Sequence, residues 1–144
     1  MTDFSVDEDI RLARTLPASA FTDPAFLTRE LGSLFTRSWV LIPDTPPAEP
    51  ASHVPVTVLG RPLLLRREQG GLRLFPNVCT HAWHTLAQAP GKSRTILCPQ
   101  HGRTFDGAGR CVAQKGFSPE TVPDFPGEQD HLRIRDVEDR PQRD

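Results

Sequence analysis

Proline content is the feature that most constrains how this chain can fold. The sequence has 15 prolines in 144 residues, about twice the usual share of roughly 5%, and they are spread along the chain instead of forming one linker. A proline inside a helix removes a hydrogen bond and clashes with the preceding turn, so helices must be few and short. One helix is predicted to begin at Asp23, a good N-cap, with Pro24 in its first turn. Its apolar stripe is predicted to pack in the core and consists of Leu27, Leu31, Leu34 and Phe35.

From residue 54 onward the apolar residues recur with the period of β-strands. Val54, Val56 and Val58 alternate with other residues, and Gly60 and Arg61 are predicted to form the tight turn that follows. The predicted strands are 54–58, 63–66, 72–76, 95–97, 104–106, 110–112 and 132–137, with an irregular excursion over 115–129 before the last. We therefore expect a mainly β domain of antiparallel hairpins over residues 51–140, preceded by a short helical extension over residues 1–50.

Charge and cysteine content exclude several classes of protein. The chain carries 17 Lys and Arg against 18 Asp and Glu, so it has no global field to attract nucleic acid or an anionic membrane. Three cysteines are too few for a disulfide scaffold. Residues 1–9 are acidic and lack an apolar signal region, and no run approaches the roughly 18 apolar residues that span a bilayer. We expect a cytoplasmic protein whose partners are proteins or small molecules.

Two short segments carry the residues that can bind a metal. The first contains Cys79 and His81, and the second contains Cys98 and His101, with 16 residues between His81 and Cys98. Residues two apart in an extended loop project to the same side, so the first pair can reach one site. The second pair is three apart and needs a turn, for which Pro99 and its neighbour Gly102 are suitable. Two hairpin tips that face each other are predicted to hold a metal centre between them.

The order of the ligands indicates which metal centre this is. Zinc fingers usually place two Cys in one arm and two His in the other, whereas each arm here supplies one of each. In a Rieske [2Fe–2S] centre two thiolates hold one iron and two imidazoles hold the other, so each loop can give one ligand to each iron. A mononuclear zinc site and chance clustering are the alternatives that this pattern leaves open.

The motifs resemble the Rieske domain of ring-hydroxylating, aromatic dioxygenase-type oxygenase large subunits. The resemblance lies in Asn77 to His81, in Cys98 to Asp106 and in the following Gly109-Arg110, and residues 21–39 resemble the helical lead-in of those subunits. It implies a Rieske-type antiparallel β-sandwich with two cluster-binding hairpin loops. It also implies that Cys79 and Cys98 bind the inner iron as thiolates, while His81 and His101 bind the outer iron at the edge where electrons pass.

Departures from that family limit what the chain is expected to do alone. Ala82-Trp83 stands where the family commonly has Arg-Gly, and Arg103 stands where it commonly has Trp. We weigh Trp83 as either a cover for the cluster or a rim aromatic, and Arg103 as a contact for an acidic partner or a solvent-facing residue. The family's catalytic domain would lie beyond residue 144, and the remaining histidines form no facial triad, so we do not expect a complete oxygenase. These histidines are His53, His84 and His131.

The expected function is one-electron transfer between a flavin- or ferredoxin-type reductase and an oxygenase component, either as a separate carrier or as a split-off Rieske subunit. A redox sensor or an assembly subunit that keeps the cluster is the alternative, and a structural zinc protein is a third class. We expect a monomer. The third cysteine, Cys111, is interpreted as a small buried apolar residue.

The resemblance also implies a modest midpoint potential. Respiratory Rieske proteins have two hydroxyl donors near the cluster and a disulfide between the loops, where this chain has Arg103, Phe105, His84 and Gln100. Two missing hydrogen bonds of about 1 kcal/mol each lower the potential by roughly 80 mV. An exposed Arg103 would return only about 20 mV because water screens its charge. We expect a potential in the lower half of the roughly −150 to +300 mV Rieske range.

Overall fold

The structure, a computed structural model, describes residues 7–118 and 120–138. The chain divides into two compact units, one ending at Leu41 and the other beginning at Ile42. The predicted division into residues 1–50 and 51–140 stays a prediction, and its outer ends lie outside the described residues. Within the described residues no helix is long and apolar enough to cross a membrane.

The first unit contains the short helices that the prolines allow. These are α1 (Ser19–Thr22), α2 (Pro24–Ser33) and a 3₁₀ helix (Phe35–Arg37). Asp23 caps α2 as predicted, because its carboxylate accepts a hydrogen bond of 2.8 Å from the N–H of Ala25.

The prediction that the stripe of α2 packs in a core is wrong. No residue of α2 is buried, and both Leu27 and Leu34 are more than half exposed. Helical spacing places these side chains on one face, but the described part of the first unit, residues 7–41, contains only short helices and no strand to cover that face.

In its described residues the second unit has seven short strands in two antiparallel sheets, which confirms the predicted mainly β fold. One sheet has the order β3-β2-β1-β4 and the other the order β5-β6-β7. The strands are β1 (Ser52–Val58), β2 (Arg61–Glu68), β3 (Gly71–Pro76), β4 (Gly91–Lys92), β5 (Ile96–Leu97), β6 (Thr104–Phe105) and β7 (Cys111–Ala113).

The turn between β1 and β2 is shifted by one residue from its predicted place. Leu59 and Gly60 have φ values of 51° and 74°, so both central residues are left-handed, as a two-residue hairpin turn requires. Arg61 is consequently the first residue of β2 and pairs with Val58. The alternation in β1 sets its register, in which Val56 lies opposite Leu63.

Neighbouring residues of the central strands belong to two different cores. Leu64 and Phe75 pack on one face of the sheet, whereas Leu65 and Leu74 pack on the other, because side chains alternate along a strand. The first core also contains all three cysteines together with Leu86, Ile96, Phe105 and Leu132. The sheets therefore bring the two cysteine-containing segments to the same buried region.

The end of the chain is less regular than the sequence indicates. The predicted strand over 132–137 is reduced to an isolated bridge, in which the N–H of Arg135 donates to the carbonyl of Leu74 at 2.8 Å. In the described part of the predicted excursion, Glu128–Asp130 forms a 3₁₀ helix. The two-residue strand β4, which pairs with the start of β1, is missing from the prediction because Gly91 and Lys92 have no strand pattern.

Candidate metal centre

The first loop, Cys79–His84, is closed by two backbone hydrogen bonds. The N–H of Cys79 donates to the carbonyl of His84 at 2.8 Å, and the N–H of Trp83 donates to the carbonyl of Cys79 at 3.0 Å. Asn77 holds the base of this loop, because its side-chain amide donates to the carbonyl of Ala87 at 2.7 Å and accepts from the N–H of Ala87 at 2.9 Å.

The second loop, Cys98–Arg103, repeats the same pattern. The N–H of Cys98 donates to the carbonyl of Arg103 at 2.8 Å, and the N–H of Gly102 donates to the carbonyl of Cys98 at 3.0 Å. The fifth residue of each loop is left-handed, with φ of 60° at Trp83 and 72° at Gly102. The loops are thus near duplicates, except that the first has tryptophan at a position that favours glycine.

The structure places the two predicted cysteine ligands in one core and the two predicted histidine ligands beside each other at the surface. Cys79 and Cys98 are buried in the same core. His81 and His101 are exposed, and their rings lie edge to face with centroids 4.9 Å apart. The sulfur donors therefore lie on the protein side of the site and the imidazoles on the solvent side.

The chemistry of this donor set fits a diiron cluster. Burial raises the pKa of the Cys79 thiol, and the neighbouring Cys98 raises it further, so a pair of thiolates at this depth needs a compensating cation. The two cysteines share one buried core, and the two histidine rings contact each other at the surface. A structural zinc site needs four ligands on one ion, whereas each iron of a Rieske centre takes two from the protein.

The environment of His81 favours its neutral form. Desolvation lowers the pKa of this imidazole, the positive charge of Arg103 and the neighbouring His101 lower it further, and Asp130 opposes them. Neutral imidazole is the form that ligates metals. His81 also lies edge to face with Phe117, at 5.9 Å between ring centroids, and an open cavity of about 510 Å³ adjoins both predicted ligand histidines.

Arg103 does not face solvent, so the prediction that an exposed Arg103 adds only about 20 mV to the midpoint potential starts from a wrong premise. The residue is only 3% exposed. Its guanidinium NH1 forms an ion pair with Asp130 Oδ1 at 2.8 Å and donates to Thr80 Oγ1 at 3.0 Å, while Nε donates to Gln114 Oε1. From the sequence we considered an acidic partner protein or solvent as the contact of Arg103. The structure shows instead that the contact is Asp130 of the same chain.

Sequence reasoning missed Thr80, Gln114 and Asp130. The Thr80 hydroxyl donates to the backbone carbonyl of Asp130 at 2.8 Å, and Gln114 Nε2 lies 3.5 Å from His81 Nδ1. Asp130 is 27 residues from Arg103 and follows a proline-rich segment without periodicity. No local signal in the sequence indicates that this carboxylate reaches the loops.

The structure also shows the surroundings of four further residues that the sequence singles out. Trp83 is 82% exposed, which favours the rim aromatic over a cover for the cluster. His131 Nδ1 accepts a hydrogen bond of 2.9 Å from the backbone N–H of Cys111, and Cys111 is buried as predicted. His53 lies in β1, next to β4.

Comparison with known proteins identifies the same motifs. Residues 38–126 match the Rieske [2Fe–2S] domain family. A chloroplastic choline monooxygenase of Atriplex hortensis is 32% identical over 110 residues, which are 75% of this chain and 25% of that protein. The carnitine monooxygenase oxygenase subunit of Acinetobacter baumannii is 30% identical over 106 residues, 72% of this chain and 28% of that protein.

A solved structure extends the comparison to the fold. The quaternary ammonium Rieske monooxygenase CntA in complex with L-carnitine superposes with a TM-score of 0.76 at 27% identity, over 88% of this chain and 36% of that one. The chain spans about a quarter of the length of the two sequence relatives.

Proposed function

The chain belongs to the Rieske [2Fe–2S] domain family, and from that premise we propose that it transfers single electrons through a cluster held by Cys79, His81, Cys98 and His101. Family membership confirms the predicted resemblance, the β fold and the [2Fe–2S] cofactor. When bound, such a cluster supplies a site that takes up and releases one electron without a change in the protein ligands.

One observation carries the ligand assignment: each of two nearly duplicate loops has a buried cysteine at its first position and an exposed histidine, which is the third residue of the first loop and the fourth of the second. In this proposal Cys79 and Cys98 hold the inner iron as thiolates and His81 and His101 hold the outer iron. The imidazoles conduct the electron, because they connect the outer iron to the surface beside the 510 Å³ cavity. The surrounding apolar core excludes water from the sulfur side.

We propose that the electron comes from a flavin- or ferredoxin-type reductase and goes to an oxygenase component. The two sequence relatives described above are a choline and a carnitine monooxygenase, which favours an oxygenase system acting on quaternary ammonium compounds over one acting on aromatic rings. Reduction by a candidate reductase is measured by stopped-flow absorption of the cluster. A redox-active protein that neither reductase class reduces at a useful rate would instead support the sensor or assembly function.

The cluster is tested by analysis of protein purified and reconstituted without oxygen. We expect two irons and two acid-labile sulfides per chain, with a reduced-state paramagnetic resonance signal typical of mixed Cys and His ligation. A colourless, zinc-loaded and natively folded preparation, or one without iron and sulfide after reconstitution, would contradict the proposal.

Matched variants test the individual ligands. Cys79→Ala and Cys98→Ala are expected to lose the cluster, whereas Cys111→Ala, which removes the third buried cysteine, should keep it. In the same way His81→Ala should lose the outer iron, while His84→Ala, at the end of the same loop, should not. Retention of iron and sulfide in the Cys79 variant, or their loss in the Cys111 variant, would overturn the assignment.

A further inference from the structure

A buried arginine joins the two loops to a distant part of the chain. Arg103 is the last residue of the second loop, yet its guanidinium contacts the hydroxyl of Thr80 in the first loop and the carboxylate of Asp130 in the 3₁₀ helix. It also lies over the ring of Phe125, with 5.5 Å between the guanidinium carbon and the ring centroid. Three segments separated in sequence therefore meet on one side chain.

These contacts reach the proposed ligands through single intermediates. Thr80 lies between Cys79 and His81 in the chain, so the hydrogen bond from Arg103 restrains the backbone that carries both. Gln114 accepts from Arg103 Nε and places its amide nitrogen 3.5 Å from His81 Nδ1. A shift of the guanidinium would move the first loop and the neighbour of the His81 ring together.

The ion pair is also electrically balanced within the protein. Asp130 Oδ1 accepts from Arg103, and Oδ2 accepts from the backbone N–H of Gly127 at 2.9 Å. The Arg103 side chain is 3% exposed and the Asp130 side chain 14%, so water screens neither charge well. Loss of either partner would leave the other charge uncompensated beside the loops.

We infer that Arg103 and Asp130 form a charge-balanced clamp that positions His81 and holds the midpoint potential of the cluster in place. This inference rests on the proposed cluster ligands. Reduction adds one negative charge to the cluster, so an unpaired Arg103 would favour the reduced form and an unpaired Asp130 would oppose it. The two residues are positioning residues, because neither is a ligand of the cluster.

The test is the midpoint potential of the cluster-loaded protein, titrated at pH 7 by its visible absorption. Arg103→Met should lower the potential and Asp130→Asn should raise it, each by at least a tenfold change in the equilibrium constant for electron uptake, about 59 mV. The double variant should return close to the wild-type value. A role limited to packing would not give shifts of opposite sign that cancel in the double variant.

A second ion pair of the same chemistry gives the control. Arg110 Nε and Asp106 Oδ2 are 2.8 Å apart at the turn between β6 and β7, but the Arg110 side chain is 71% exposed. The Asp106 side chain is 24% exposed. Arg110→Met and Asp106→Asn should change the equilibrium constant less than twofold, because water screens the charge of Arg110 and both residues lie outside the two loops. Shifts as large as those of the clamp variants would overturn the inference.

A conservative variant covers the case in which Arg103→Met does not retain the cluster. Arg103→Lys keeps the charge but loses the forked hydrogen bonds, so it should keep the potential while releasing the cluster severalfold faster. If Arg103→Met loses the cluster, Asp130→Asn decides the question. An unchanged midpoint potential in Asp130→Asn overturns the inference, and a raised potential supports it. Wild-type protein without iron and sulfide would refute the proposed function itself, whereas wild-type protein with a cluster and unshifted variants refutes the clamp alone.

Discussion

Trp83 provides a direct test of how the two loops are related. It occupies the left-handed position that Gly102 occupies in the second loop, with φ of 60° against 72°. A left-handed conformation costs a residue with a side chain about 1–2 kcal/mol, and a glycine lowers stability by about 0.4–1 kcal/mol through its freer unfolded chain. Relief of the strain should therefore leave a net gain of about 0.5–1 kcal/mol.

The comparison must be between Trp83→Gly and Trp83→Ala rather than with the wild type. The Trp83 side chain is 82% exposed, so it buries roughly a fifth of its ~250 Å² surface, worth about 1 kcal/mol. In Trp83→Gly the lost burial energy offsets the expected gain in folding stability. The same burial energy is lost in Trp83→Ala, so it drops out of the comparison between the two variants. Alanine keeps the left-handed strain, so the difference between the variants isolates the backbone.

The assay is thermal unfolding of cluster-loaded protein at one scan rate, followed by far-ultraviolet circular dichroism because the change removes one of two tryptophans. A difference of 0.5–1 kcal/mol corresponds to about 2–8 °C for a domain of this size, with Trp83→Gly the more stable. Gly102→Ala provides the reverse experiment, since an added Cβ has nothing within 4 Å, and it should lose about 0.5–1 kcal/mol. Equal midpoints for the two Trp83 variants, or a higher one for alanine, would refute the strain argument.

Four further predictions concern the β unit and the cluster. Gly109→Ala should cost about 3 kcal/mol, since φ is 80° and the new Cβ would lie 2.6 Å from Cε1 of Phe75; a drop in thermal midpoint under about 5 °C would contradict this. Glu68→Ala should lower the free energy of unfolding in urea by about 3 kcal/mol, because Glu68 Oε1 accepts hydrogen bonds of 2.8 and 3.0 Å from the fully buried Arg66. An unchanged urea midpoint would show that Glu68 does not compensate the charge of Arg66. Burial, aided by the charge of Arg66, lowers the pKa of His53 from 6.5. The contribution of neutral His53 to folding stability is therefore full above about pH 6.5 and is lost as the pH falls toward the lower folded-state pKa. Between pH 7 and 5.5 the thermal midpoint should fall less steeply in His53→Gln than in the wild type, and parallel curves would exclude this contribution. The midpoint potential should lie below about +100 mV in a redox titration, because the two hydroxyl donors of respiratory Rieske proteins are absent, and a value well above that would contradict the estimate.

Local signals account for the parts of this structure that the sequence predicts well. The alternation of β1 and the left-handed Gly60 define a hairpin within a few residues, and the two Cys and His pairs indicate loops of known chemistry. The hairpin and each Cys and His pair are complete within about ten residues of chain, and the two pairs need only each other to indicate the metal centre.

The parts that fail depend on distant residues. The apolar stripe of α2 is not buried as predicted. Helical spacing shows that its residues share one face, but it does not show which other element covers that face. The last predicted strand shortens to one bridge, between Arg135 and Leu74 of the edge strand β3, and its local alternation does not indicate how far that pairing extends. The burial of Arg103 depends on Asp130, and 27 residues of mostly irregular chain separate the two.

The location of the sulfur donors has a consequence for how the protein matures. Cys79 and Cys98 pack against Phe75 and Phe105 in the interior of the β unit, so insertion of the cofactor and completion of the interior are one process. Apoprotein would leave two buried thiols without their metal, so the binding energy of the metal centre becomes folding energy. Iron supply would then set how much of this polypeptide survives proteolysis in the cell, as well as how much of it is active.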